Sequence, residues 1–192
     1  VVLAVGPWVH RLLGELHLPV RLTRQYLLYF TGLPANAFKV DNFPSFIADD
    51  LYGFPLCNTC TGEGPAWLKA TSHRAGPPVD PDAVPVVDQN AVAFIKNRLC
   101  ELLPDLLHAD LVHVDACIYD MSQDEDFILD AVPGDPRVVF AAGMSGHAFK
   151  FGLLLGEMIS SMLGGREPPV PLDRFRLNRF SLSAQMGKTS VA

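Results

Sequence analysis

The sequence predicts an α+β fold in which a mainly antiparallel sheet with flanking helices is inserted between strand and helix elements of an α/β layer. Three observations predict it. The 192 residues are 49% hydrophobic, which is enough for one domain of ordinary size with a real core. Strand-like alternation is concentrated in the middle of the chain, where short aromatic and β-branched runs are broken by Pro and Gly. Both ends instead read as a strand, a glycine turn and a helix.

Residues 1–5, Val-Val-Leu-Ala-Val, read as a buried parallel strand. Pro7 then opens a short helix with apolar residues at helical spacing through Leu13. Residues 20–30 alternate Arg21, Thr23 and Gln25 with β-branched and aromatic neighbours and read as a strand. From 32 to 55 the breakers Pro34, Pro44, Gly53 and Pro55 leave room only for short antiparallel strands, at 43–47 and 51–54. Residues 67–72 are another strand, and the Pro-rich stretch 76–85 is a loop. Asp88 caps a helix that carries Val92, Ile95, Leu99, Leu102 and Leu103 and stops at Pro104. In 111–119 Val112, Val114, Ala116 and Ile118 face one way, and His113, Asp115, Cys117 and Tyr119 the other. Residues 137–142 form a buried strand that turns through Gly143-Met-Ser145-Gly146 into a buried helix ended by Gly164-Gly165. The expected division is 1–15 and 137–192 in the α/β layer and 16–136 in the antiparallel layer.

The net charge of -6 argues against a nucleic-acid surface, which needs clustered Lys and Arg. The one basic cluster, Arg174, Arg176 and Arg179, reads as a strand or turn with a solvated edge. The most apolar stretch, 151–163, is interrupted by Gly156, Glu157, Ser160 and Ser161 and is too short for a membrane span. Cys57, Cys60, Cys100 and Cys117 show no disulfide framework, so a reducing cytoplasm is expected. Cys57-x-x-Cys60 lacks a second ligand pair, and no metal site is expected. The opening residues carry neither an initiator Met nor a signal-peptide basic region, which suggests a fragment whose extra apolarity faces missing residues.

Two segments carry the chemistry: Asp115-Ala-Cys117-Ile-Tyr119, and Gly143-Met-Ser145-Gly146-His147-Ala-Phe-Lys150-Phe151. The first places a thiol and a phenol on one strand face. The second is a glycine turn opening into a helix, whose start aims N–H groups and partial positive charge at whatever lies in front. Ser145, Gly146 and His147 are expected at that start, with Lys150 adding a full charge. Such a wall suits a flat, electron-accepting cofactor. Taken singly, a glycine joint is more often a plain connection, Lys150 a solvated lysine, and Cys117 a small buried hydrophobe.

Cys117-Ile-Tyr119 with Asp124-Glu-Asp-Phe127-Ile-Leu-Asp130, then 142–151, then Leu172-Asp-Arg-Phe-Arg-Leu-Asn-Arg-Phe180, resembles the C-terminal half of the monomeric sarcosine oxidase and N-methyltryptophan oxidase family, flavoenzymes of the D-amino-acid oxidase superfamily. Leu3-Ala-Val-Gly6-Pro-Trp8 is similar to the strand that returns to the flavin domain there, which implies Gly6 and Trp8 near the cofactor. The resemblance implies FAD, with Cys117 bonded to the flavin 8α-methyl group and Gly143, Ser145, Gly146, His147 and Lys150 on the cofactor side. It implies Lys69, in Trp67-Leu-Lys-Ala-Thr-Ser-His73, over flavin N5, promoting reaction with O2. It further implies Tyr52, His73 and Tyr119 as pocket and catalytic groups, with Tyr52, Tyr119 and Lys150 holding substrate. The implied reaction is oxidation of a secondary (N-methyl) amino acid by hydride transfer to flavin, imine hydrolysis, and reoxidation by O2 to hydrogen peroxide.

Two features depart from the family pattern. The segment between Tyr52 and Lys69 looks longer and borders the expected pocket. No Gly-x-Gly-x-x-Gly fingerprint occurs in the 192 residues, so the pyrophosphate cradle is expected on an N-terminal half, a partner this chain needs. The alternative is a truncated or split product that acts as a binding or assembly module.

Overall fold

The computed structural model describes residues 1–58 and 66–180. The chain forms two compact units: Val1–Thr23, Pro78–Pro81 and the described residues from Ile118 onward, and the described residues of Arg24–Pro77 and Asp82–Cys117. The breaks at 23/24 and 117/118 fall inside two long strands, whereas the sequence placed them at 15/16 and 136/137.

In the first unit β1 (Val2–Leu3) pairs in parallel with β8 (Asp135–Ala142), and β8 pairs antiparallel with β7 (Ile128–Val132). The opening strand is parallel, as expected, but shorter than 1–5 and not buried: Val1 is 71% and Val2 42% exposed. It is the edge of a three-stranded sheet, so one flank has no neighbouring strand among the described residues. A 3-10 turn at Gly6–Trp8 leads into α1 (Val9–Leu12), a single turn.

Alternate residues of β8 enter opposite cores, as the two-residue period requires. Phe140 and Ala142 pack with Val9, Leu13, Leu18, Val20 and Ile128. Ala141 packs with Phe127, Leu129, and Leu155 and Met158 of α4 (Gly152–Leu163). The expectation of a buried helix at 151–163 holds for one face of α4 alone. Only the stripe Leu155, Met158, Ser161 is buried, at three-residue spacing, while Leu153 is 96% exposed. No helix among the described residues is long and apolar enough to cross a membrane.

The arginine cluster is more than a solvated edge: Arg174 is exposed in a 3-10 turn, but all three arginines are paired. Arg174, Arg176 and Arg179 pair with Asp126, Asp130 and Asp124 at 2.6, 2.6 and 2.7 Å, and the Leu177 N–H donates to Asp130. The acidic and basic motifs are therefore partners that clamp the segment after α4 onto the approach to β7. Arg179 holds the Asp124 carboxyl below its ordinary range.

The five-stranded sheet has the order β3 (Phe46–Ala48), β4 (Leu51–Cys57), β5 (Trp67–Ser72), β2 (Val20–Thr31), β6 (Asp110–Ser122). β3, β4, β5 and β2 pair antiparallel in turn. A helical turn not anticipated from the sequence, α2 (Ala35–Phe38), follows Pro34 and buries Phe38. α3 (Gln89–Leu102) starts where Asp88 predicts, its carboxylate accepting the N–H groups of Asn90 and Ala91. The core of this unit joins Leu28, Phe30, Leu68 and Ala70 of the sheet to Val92 and Leu99 of α3 and to Leu106.

Candidate functional site

The register Leu28↔Ala70, Tyr29↔Lys69, Phe30↔Leu68 sends every second residue of β2 and β5 away from that core. On the opposite, half-buried face lie Trp67 and Lys69 from β5, Tyr29 from β2, and His113, Asp115 and Cys117 from β6. The Lys69 ammonium stands 5.9 Å from the Tyr29 ring centre and 5.8 Å from that of Phe54 on β4. Tyr29 meets Trp67 edge-on at 5.9 Å and His113 at 5.4 Å, and Trp67 stacks on His113.

Asp115 organises this face. Its carboxylate accepts the Tyr29 hydroxyl proton at 2.8 Å and lies 2.7 Å from His113 Nε2. The Tyr29 hydrogen bond, with His113 and Lys69, holds the Asp115 carboxyl below its ordinary range. Burial, then Asp115, pushes the Tyr29 phenol well above its ordinary value. Cys117 shares the face as expected, but its surroundings do not favour the thiolate. Burial, then Asp115, pushes the thiol up, with Lys69 and Arg24 pulling the other way.

At the far end of β5, the rings of Tyr52 and His73 meet edge-on at 6.2 Å. Arg98 of α3 anchors this end through a bidentate pair to Asp50, at 2.6 and 2.7 Å. The Asp50 carbonyl takes the His73 N–H, and its carboxylate takes the Ser72 hydroxyl. The Arg98 guanidinium holds the Asp50 carboxyl far below the carboxylate range.

In the first unit the turn after β8 is stitched to the end of β6, which runs on past the expected Tyr119 to Ser122. The Ser145 N–H donates to the Asp120 carbonyl at 3.0 Å, the Ser122 N–H to Ser145 Oγ, and Ser145 Oγ to the Gly143 carbonyl. The N–H groups of Gly143 and Met144 turn to the Asp120 carboxyl, which burial nonetheless pushes up. A methyl group on Gly146 would overlap the Tyr119 ring, so glycine is required there by close approach.

Ser145, Gly146 and His147 do not form a helix start, contrary to expectation. Gly143, Ser145 and Gly146 have φ of +63°, +49° and +73°, values outside the helical region. α4 begins only at Gly152, after a 3-10 turn at Phe149–Phe151 that contains Lys150. The exposed Lys150 ammonium stands 5.4 Å from the Phe151 ring centre. His147 packs on Phe127 and its Nε2 meets the Glu125 carbonyl at 3.0 Å. Gly6, with φ of +51°, and the half-exposed Trp8 form the 3-10 turn after β1.

Cys57 is free and exposed, Cys60 lies outside the described residues, and no group of three metal-binding side chains occurs among the described ones. The second unit thus brings Lys69 and Cys117 onto one face and Tyr52 against His73, while the first brings Tyr119 against Gly146. Sequence inspection missed Tyr29, Trp67 and Asp120 as members of these clusters. Strand parity from Lys69 and Gln25 was the available signal for the first two.

The donor set fits the cofactor that the sequence resemblance implies. A flavin ring presents an electrophilic carbon to a thiol, gains negative charge on reduction and has flat apolar faces. The second unit's half-buried face offers Cys117, the fixed cation Lys69, and the rings of Tyr29, Trp67 and Phe54.

Residues 1–162 match the family model described as "DAO: FAD dependent oxidoreductase". N-methyl-L-tryptophan oxidases from Citrobacter koseri and Salmonella heidelberg are 32% and 34% identical to the chain. They are matched over 94% and 93% of this chain and 48% and 47% of their own length. The chain thus spans about half the length of these relatives. Fructosamine oxidase from Aspergillus fumigatus superposes with a TM-score of 0.73 at 19% identity, over 92% of this chain and 42% of that one. Glycine oxidase from Geobacillus kaustophilus gives 0.70 at 21%, over 93% and 45%. These two likenesses are of fold, and the family match adds lineage: the chain belongs to the FAD-dependent oxidoreductase family.

Proposed function

We propose that this chain is the C-terminal, substrate-facing portion of an FAD-dependent oxidase of a secondary, N-methyl amino acid. The observation that carries this proposal is the placement of Lys69 and Cys117 on one half-buried polar face whose reverse is the unit's core. When bound, FAD takes two electrons from the carbon–nitrogen unit of the substrate and yields them to O2, giving hydrogen peroxide.

The chain's own residues have distinct tasks. Cys117 tethers the cofactor, and Lys69 supplies a fixed cation where negative charge develops. Tyr52, His73 and Tyr119 contact the substrate, and Lys150 holds its carboxylate. Gly6, Trp8, Gly143, Ser145, Gly146 and His147 serve the cofactor side. The unit with Val1–Thr23 and the described residues from Ile118 onward carries the FAD-binding layer, and the unit with the described residues of Arg24–Pro77 and Asp82–Cys117 the substrate layer. The three free cysteines among the described residues suit a reducing cytoplasm.

Sarcosine and N-methyl-L-tryptophan, mixed without oxygen with flavin-loaded protein that includes a dinucleotide-binding segment, should bleach the visible flavin band faster than glycine or tryptophan. Equal or faster bleaching by the primary amines would overturn the substrate assignment. A second possibility is a non-catalytic binding or assembly module. A protein that stays colourless even when co-expressed with a dinucleotide-binding segment would support the module.

A further inference from the structure

The array Tyr29–Asp115–His113 has no task in the reaction just described, yet it is built with care. Both carboxylate oxygens of Asp115 are engaged, Oδ2 by the Tyr29 hydroxyl and Oδ1 by His113 Nε2. The two partners are themselves held by ring contacts with each other and with Trp67. Asp115 therefore stays ionised and stays in place. Cys117 follows two residues later on the same face of β6, about 7 Å along the strand. The other charged groups acting on it are Arg24 on the adjacent strand β2 and Lys69 on β5, one strand further along the sheet.

We propose that the Tyr29–Asp115–His113 array fixes a negative charge beside Cys117, and that this charge, opposed by Lys69 and Arg24, governs how readily the Cys117 sulfur attacks an electrophile. Its biological use rests on Cys117 being the thiol that flavin bonds, but the charge effect belongs to the chain and is measured without cofactor. Asp115 acts through Cys117 and is a positioning residue. Lys69 then has two tasks, a counterweight to Asp115 during attachment and a cation for the oxygen reaction afterwards. The thiolate is the attacking form, so a fixed negative neighbour lowers the share of sulfur ready to attack at a given pH.

Alkylation of the cofactor-free chain by iodoacetamide, followed by mass mapping of the Cys117 peptide across a pH series, reads this directly. The thiol proton passes to solvent base, the sulfur bonds to carbon, and iodide leaves. Asp115→Asn should lower the pH midpoint of alkylation by roughly half a unit to one unit and speed the reaction near neutral pH about three- to tenfold. Lys69→Met should shift the midpoint the opposite way. Tyr29→Phe removes a donor but keeps the carboxylate, so its midpoint should stay at or above that of the unmutated chain.

Faster alkylation in all three variants would mean that they merely loosen the face, and would overturn the proposal. So would an unchanged or raised midpoint in folded Asp115→Asn. Should Asp115→Asn fail to fold, by circular dichroism, Lys69→Met decides: a raised midpoint supports the proposal and any other result overturns it. Flavin found on another residue in the loaded protein would sink the tethering role and leave the alkylation result standing.

Discussion

The two faces of β5 differ in burial and in the kind of residue they carry. Leu68 and Ala70 are completely buried against the core shared with α3, while Trp67 and Lys69, their immediate neighbours, lie half-buried among polar and aromatic groups. One strand thus turns Leu68 and Ala70 to the core and Trp67 and Lys69 to the polar face. A slip of one residue in register would exchange the two sets. Because the faces are separate, substitutions on them should be separable in effect, and that is open to test.

The largest effect is expected on the buried face. Leu68→Ala leaves a cavity with no exposed route for relaxation and should cost about 2–5 kcal/mol in urea unfolding. Lys69→Met, one residue away, should change stability by no more than about 0.5 kcal/mol. Equal losses would erase the distinction between the faces.

Lys69→Met should act instead on the reaction. In the flavin-loaded protein it should slow reoxidation by O2 by roughly 100-fold, about 3 kcal/mol, with much less effect on reduction by substrate. Stopped-flow records of the two half-reactions decide this, and equal slowing of both would remove Lys69 from the oxygen step.

A smaller effect belongs to Asp50, which ties α3 to the His73 end of β5. Its carboxyl is held below the unfolded value by Arg98. Its contribution to stability is therefore present above about pH 4, the unfolded carboxylate range, and is lost as pH falls through the folded value. Asp50→Asn should lower stability at pH 7 by about 1–2 kcal/mol and flatten the acid limb of the pH–stability curve. A variant whose acid limb matches that of the unmutated chain would show that the pair contributes nothing to folding.

Much of this contrast was legible in the sequence. Alternation located β5 and the two faces of β6, and Asp88 marked the start of α3, because both signals are local. What escaped was pairing at long range. Tyr29 reaches Asp115 across 86 residues, and Arg174, Arg176 and Arg179 reach their aspartates across 46–55. Parity assigns a residue to a face but not to a neighbour, so the arginines read as solvated and Tyr29 passed unnoticed. The turn at 143–148 was misread for a different reason. Ser145 adopts a positive φ that its residue type does not announce, and the helix start moves to Gly152.

The central claim is that the polar face of the second unit is a flavin wall with Cys117 as its attachment point. Acid precipitation of the flavin-loaded protein, followed by proteolysis and mass mapping, tests it most directly. The account predicts yellow colour in the pellet and flavin on the peptide containing Cys117, with Cys117→Ser releasing all colour to the supernatant. Colour wholly in the supernatant of the unmutated protein, or flavin on Cys57, Cys60 or Cys100, would contradict it.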